Sequence, residues 1–136
     1  MMVFKDIIDM ESIDIYIKDN NLGELFFRDG LFFGGFQDDL LFGLCQVNFT
    51  ENGISMGMIH ITKEFRGQGL GNAMVRSLFN KLDLNGIKFV YSQSAHPYLE
   101  KLGFKFYDRI YGCNLEELFN KGCSCCGVED HVQWFF

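Results

Sequence analysis

The stretch Ile59-His60-Ile61-Thr62-Lys63-Glu64-Phe65-Arg66-Gly67-Gln68-Gly69-Leu70-Gly71-Asn72-Ala73-Met74-Val75 constrains this chain more than any other part of it. An alternating apolar strand runs through a basic, glycine-dense turn straight into an amphipathic helix. Glycines at 67, 69 and 71 let backbone amides approach a bulky anion, and the N-terminus of the following helix adds its partial positive charge at the same point. Any fold that contains this unit must gather a strand end, a tight turn and a helix start around one phosphate-sized space.

Composition limits what can surround it. The chain has 136 residues, enough for one domain that buries roughly 68% of the surface of its unfolded chain. Apolar residues make up 48% of it, with 16 Phe and one Pro, so the material for a dense core is present and the composition argues against disorder. Eighteen acidic against twelve basic side chains give a net charge of -6. That balance argues against a nonspecific nucleic-acid surface, which needs clustered Lys and Arg, so a phosphate site must be local. No apolar run approaches the ~18 residues of a membrane span, and Met1-Met2-Val3-Phe4-Lys5-Asp6 lacks the pattern of a signal peptide. The expected location is the cytoplasm.

The order of elements follows from turns and periodicity. Residues 7 to 20 mix Ile7, Ile8, Ile13, Ile15 and Tyr16 with acidic residues and fit a short strand, a helix, or one after the other. Leu31 to Phe36 and Leu40 to Phe49 read as a hairpin around Asp38-Asp39, and Asn52-Gly53 turns the chain into a strand from Ile54 to Thr62. Leu70, Met74, Val75, Leu78 and Leu82 recur near helical spacing, and Asn85-Gly86 closes that helix. Ile87 to Tyr91 reads as a buried strand, Pro97 to Leu102 as a short helix ended by Gly103, Phe104 to Tyr111 as one more strand, and Leu115 to Phe119 as a helix. Strands followed by helix, strand, helix, strand give a mixed α+β sheet in one domain spanning residues 1–136.

The glycine spacing is not the G-x-G-x-x-G of a dinucleotide site, and no Lys-Ser or Lys-Thr follows as a nucleotide-triphosphate loop requires. Arg66-x-x-Gly69-x-Gly71 after a strand resembles the Q/R-x-x-G-x-G/A signature of the GCN5-related N-acetyltransferase (GNAT) family. Pro97-Tyr98-Leu99-Glu100-Lys101-Leu102-Gly103-Phe104 is similar to that family's later F-Y-E-K-L-G-F element. The resemblance runs from about Leu31 to Tyr111. It implies the GNAT fold: a mixed, mostly antiparallel sheet, flanked by helices, in which two parallel neighbours splay apart and hold acetyl-CoA in the gap. It further implies that the amides of Gln68, Gly69, Leu70, Gly71 and Asn72 face the pyrophosphate, with Arg66 and Gly67 shaping the entrance. Main-chain groups of Ile59 and Ile61 would pair with the pantetheine arm, and the Ile59 amide would polarise the thioester carbonyl. The activity implied is acetyl transfer from acetyl-CoA to a primary amine of a small molecule or peptide.

Acyl transfer to an amine also needs a base or water chain and an acid for the departing thiolate. Family members often carry Glu or His about nine or eleven residues before the Arg66 position; here those positions hold Gly57 and Ser55, neither of which is a base. By strict alternation His60 points to the sheet face opposite Ser55, Gly57, Ile59 and Ile61. His96, after the buried strand, is either a functional group or a loop or helix-capping residue. The family's usual acid, a tyrosine, directly precedes E-K-L-G-F, whereas this chain has Leu99 there and Tyr98 one position earlier, as general acid or as packing. Tyr91, Ser92 and Ser94 offer a water relay. These departures keep a second reading open, that of a catalytically impaired acyl-CoA-binding or interaction protein with the same fold.

Five cysteines remain, four of them Cys113, Cys123, Cys125 and Cys126, with His131 nearby. The spacing gives only one pair of the kind structural zinc favours, so the readings are zinc, regulatory thiols or ordinary reduced cysteines, and no metal ligand is assigned. Residues 113–131 read as an insertion before a last strand at Val132 to Phe136, whose apolar side chains call for burial in the core or against a second subunit as a homodimer.

Overall fold

Turn chemistry divides the N-terminal half of the chain into antiparallel strands. The computed structural model describes residues 1–23, 30–120 and 133–135. Strand β1 (Met2–Asp6) pairs with β2 (Gly30–Gln37), β2 with β3 (Leu40–Thr50), and β3 with β4 (Gly53–Ile61), all antiparallel. Between β1 and β2 lies helix α1 (Met10–Asp19), capped by Asp9, whose carboxylate accepts from the Glu11 amide at 3.0 Å and the Ser12 hydroxyl at 2.9 Å. The ambiguous stretch 7 to 20 is therefore a helix preceded by a strand that ends at Asp6. Its buried stripe is Ile13, Tyr16 and Ile17, at i, i+3 and i+4, while Ile8 and Ile15 are exposed and blur that period in the sequence.

After β4 a 3-10 turn (Lys63–Phe65) leads to helix α2 (Leu70–Leu84), then β5 (Phe89–Tyr91), α3 (Pro97–Leu102), β6 (Lys105–Tyr107), β7 (Ile110–Asn114), α4 (Leu115–Asn120) and β8 (Gln133–Phe135). The expected single strand from Phe104 to Tyr111 is a hairpin instead, because Asp108 takes a left-handed turn (φ 61°) and folds β7 back on β6. Cys113 and Asn114 belong to β7, so the stretch beyond this hairpin starts at Leu115 and not at residue 113.

Seven strands follow the path β1-β2-β3-β4-β5-β7-β6, and all neighbours are antiparallel except β4 and β5. That parallel contact is short: Ile54 stands opposite Val90 and Ser55 opposite Tyr91. Beyond it the neighbour of β4 is β8, which pairs antiparallel, with Met58 opposite Phe135, Ile59 opposite Trp134 and His60 opposite Gln133. β3 holds the other edge of β4 at these same residues, so β8 lies on the β5 side.

Two cores sandwich the sheet. Met74, Val75, Leu78 and Phe79 of α2 are fully buried against Val47, Met56, Ile59 and Ile61, together with Leu99 and Leu102 of α3 and Leu115 of α4. On the other face Ile13, Tyr16 and Ile17 of α1 pack on Phe32, Leu44 and Met58. Each fully buried large apolar side chain contributes roughly 1.5–3 kcal/mol, which makes α2 the most firmly anchored helix and fixes its N-terminus at the end of β4. Among the described residues, no helix is long and apolar enough to cross a membrane.

Candidate active site

The turn between β4 and α2 is built from backbone. Gly67 (φ 79°) and Gly69 (φ 75°) adopt the left-handed conformation that costs residues with a Cβ roughly 1–2 kcal/mol. A Cβ added at either would meet nothing within 4 Å, so these glycines serve the path of the chain and not a shortage of room. Gly69 is the N-cap of α2 and, lacking a side chain, makes no side-chain cap bond of its own. The first intrahelical bond runs from the Ala73 amide to the Gly69 carbonyl (3.1 Å), so the amides from Gln68 to Asn72 precede the ladder at the positive end of a 15-residue helix. Three consecutive residues at that end, Gly67 to Gly69, are exposed.

The strand leading into the turn presents its main chain sideways. Thr62 donates its amide to the Phe42 carbonyl at 2.8 Å, and the register is unbroken from Gly43 opposite Ile61 to Cys45 opposite Ile59. Main-chain groups alternate along a strand, so those of His60 face β3 while those of Ile59 and Ile61 face away from it, toward the side where β4 and β5 separate. The Ile61 carbonyl is taken by the Arg66 guanidinium, Nε donating at 2.9 Å. Ile59, directly opposite Trp134, faces the backbone of β8.

Arg66 also joins a buried polar chain. Its Nη2 lies 3.3 Å from His60 Nε2, and His60 Nδ1 lies 2.7 Å from the Tyr16 hydroxyl, which also reaches the Phe42 carbonyl at 3.3 Å. A guanidinium can only donate, so Nε2 must accept; the imidazole proton then sits on Nδ1, pointing at the Tyr16 oxygen, and the Tyr16 hydroxyl donates to Phe42. A protonated ring would set two donors against each other. Burial and then the Arg66 charge push the His60 pKa down to about 4, and burial raises that of Tyr16. His60 is 2% exposed, a neutral structural residue whose two partners, Tyr16 and Arg66, sequence reasoning did not connect to it.

A model of the acetyltransferase (GNAT) family matches residues 6–104. The chain belongs to that family. No protein among the curated sequences matches significantly. Solved structures agree on the fold. Tetrahymena GCN5 aligns at 12% identity over 83% of this chain and 96% of its own, with a TM-score of 0.65. A GNAT acetyltransferase from Brucella melitensis in complex with acetyl-CoA aligns at 12% over 84% and 88%, with a TM-score of 0.64. The ribosomal-protein-S18-alanine N-acetyltransferase from Escherichia coli aligns at 14% over 82% and 89%, with a TM-score of 0.62.

Within this GNAT domain the residues expected to move protons stand as follows. Cys45 opposes Ile59 but Val47 opposes Met56, so Gln46 alone faces Gly57 and Met58, a bulge that reverses the alternation of β4. Ile54 and Met56 share the α2 face with Ile59 and Ile61, which leaves Ser55 on the same face as His60 and corrects the strict alternation read from sequence. At Gly57 a Cβ would lie 2.9 Å from the Gln46 carbonyl and 3.2 Å from Asn48 Nδ2, so the position excludes any side chain. Gln46 and Ser55 are buried beside it, and Asn48 Oδ1 is buried with no hydrogen-bond partner among the described residues.

His96 caps α3, its Nδ1 accepting the Tyr98 amide at 3.0 Å, while its carbonyl accepts from the Tyr111 hydroxyl at 3.3 Å. Tyr98 is 3% exposed within the α2-side core. Tyr91 is tied to the β3–β4 turn by a 2.8 Å bond to the Thr50 hydroxyl, and Ser92 closes a local turn with Ser94. Cys113 is fully buried beside Gly103 and Leu118, and no group of three metal-ligating side chains occurs among the described residues. Cys123, Cys125, Cys126 and His131 lie outside the described residues.

Proposed function

We propose that this GNAT domain binds acetyl-CoA and transfers its acetyl group directly to a primary amine of a small molecule or peptide. The observation that carries the reading is the turn into the N-terminus of α2, made through two left-handed glycines. In this reading the amides of Gln68 to Asn72 hold the pyrophosphate, Arg66 and Gly67 fix the entrance, and Ile59 and Ile61 pair with the pantetheine arm. The amine lone pair attacks the thioester carbon while the Ile59 amide stabilises the developing oxyanion; the new C–N bond replaces the C–S bond, and the leaving thiolate takes a proton. We assign that proton to the Tyr98 phenol. Proton removal from the amine falls to water or to His96 through Nε2, since Nδ1 is held by the Tyr98 amide.

A second reading, an acyl-CoA-binding protein without turnover, draws on Gly57, where packing excludes a base. Two measurements separate them. Saturating acetyl-CoA raises the melting temperature by several degrees under both readings, through mass action. Thiol release across polyamines, amino sugars, amino acids and peptide N-termini then yields turnover with at least one class under the first reading, and Tyr98→Phe lowers that turnover about a hundredfold. Tight acetyl-CoA binding with no turnover on any amine establishes the second reading; no binding overturns both.

A further inference from the structure

We propose that the chain's own C-terminal strand is an internal competitor of acetyl-CoA: β8 and the pantetheine arm exclude each other on the edge of β4. The inference rests on the acetyl-CoA reading of the site. β8 is not needed to complete the sheet, whose seven other strands form a continuous path. It adds instead to the stretch Met58 to His60, just where β4 and β5 have stopped pairing. Register and alternation make Ile59 and Trp134 a hydrogen-bonded pair. Ile59 sits opposite Trp134, and its main-chain groups face away from β3. One Ile59 amide cannot donate to the Trp134 carbonyl and to a thioester carbonyl at once.

The arrangement has a physical rationale. Where two parallel strands separate, the edge of β4 exposes unpaired donors and acceptors, which are a template for unwanted strand addition, and β8 satisfies them in the absence of cofactor. Three paired residues make a weak strand, so the edge is covered but can be vacated. Binding must then draw on the fraction of molecules in which β8 has left, and apparent affinity falls by that fraction.

The test compares three proteins: the full chain, Trp134→Pro, which lacks the amide that would donate to the Ile59 carbonyl, and a chain ending at residue 132. Calorimetric titration with acetyl-CoA is expected to give about tenfold tighter binding for both variants, the release expected if β8 covers the edge in about nine molecules of ten. Hydrogen exchange at the Ile59 amide is expected to speed up in both ligand-free variants. Trp134 is the only tryptophan, so in the full chain its fluorescence anisotropy should fall as acetyl-CoA is added, with the same midpoint as binding. If Trp134→Pro fails to fold, the chain ending at 132 carries the comparison. Equal affinities in folded proteins overturn the proposal and leave the acetyl-CoA reading intact. Weaker binding in the variants also overturns it, since β8 would then be part of the cofactor site. Absence of binding in all three removes the acetyl-CoA reading, and the proposal with it.

Discussion

On the α1 side of β4, Tyr16, His60 and Arg66 join three side chains and two carbonyls into a closed set of hydrogen bonds; at the end of the same strand, the turn from Gly67 to Asn72 gathers main-chain amides at the start of α2, with Gly67 to Gly69 exposed. Both regions are polar and they share Arg66. The first is satisfied, and its histidine is held neutral near pH 7. The second gathers main-chain amides at the positive end of a helix, an arrangement that favours an anion. A titratable residue near a site is therefore a weaker guide to chemistry here than the path of a glycine-built turn into a helix.

The contrast breaks first at Gly69. A valine at φ 75° forces a β-branched residue into the left-handed region, which the turn avoids by changing its path. Acetyl-CoA affinity is expected to fall at least a hundredfold, about 3 kcal/mol, while the melting temperature drops by only the few degrees that roughly 1–2 kcal/mol of strain produces. Calorimetry and thermal melts read the two effects separately. Retained affinity would mean that the turn is not where the cofactor sits.

The closed set should respond to pH. In the unfolded chain His60 titrates near its ordinary 6.5, whereas in the folded chain its pKa lies at about 4. Between these values the unfolded state binds more protons, so stability is fully present above pH 6.5 and is lost as pH falls toward 4. The loss is on the order of 3 kcal/mol, from the ~1.4 kcal/mol per pKa unit of linkage. Carboxylates add their own acid sensitivity, so the measurement is the difference between the chain and His60→Gln, followed by melts from pH 7.5 to 4.5. Parallel profiles would show that His60 is charged in the folded protein and that the hydrogen-bond assignment is wrong.

Most of the fold could be read in advance because its signals are local. The Asp38-Asp39 and Asn52-Gly53 turns, the helical spacing from Leu70 to Leu82 and the Gly103 stop each depend on a few neighbouring residues, and each lies in the element expected. Asp108 was missed because a non-glycine residue at positive φ leaves little trace in a sequence, so two strands read as one. The bulge at Gly57 was missed for a different reason: it shows only in the pairing with β3, where Gln46 faces two residues of β4. That one-residue shift puts Ser55 on the same face as His60, while His60 stays opposite Ile59 and Ile61 as alternation predicts. Pairing of β8 with β4 joins segments about 75 residues apart, and no local pattern in either could announce it.

Arg66 is where the two regions meet, and Arg66→Lys should separate their dependence on it. An ammonium lacks the fixed fork that serves the Ile61 carbonyl and His60 Nε2 together, so one buried acceptor is left unpaired, at a cost of about 2 kcal/mol. Melts should show that loss, and acetyl-CoA affinity should change only a few-fold, since the amides of the turn are untouched. A hundredfold loss of affinity with unchanged stability would make Arg66 a direct ligand of the cofactor.

Tyr16→Phe should have the smallest effect, and it probes the far end of the set. The ring stays packed in the α1-side core, so little apolar burial changes. What disappears is the hydroxyl that accepts from His60 Nδ1 and donates to the Phe42 carbonyl. Phe42 also accepts the Thr62 amide, so the main orphan is the Nδ1 proton, at a cost of about 1 kcal/mol or a few degrees in the melting temperature. Because Tyr16 touches the cofactor turn only through His60 and then Arg66, acetyl-CoA affinity should stay within about twofold, a few tenths of a kcal/mol. A tenfold loss would show that the closed set holds the edge of β4 in position for the cofactor, and that the closed set and the turn work as one unit.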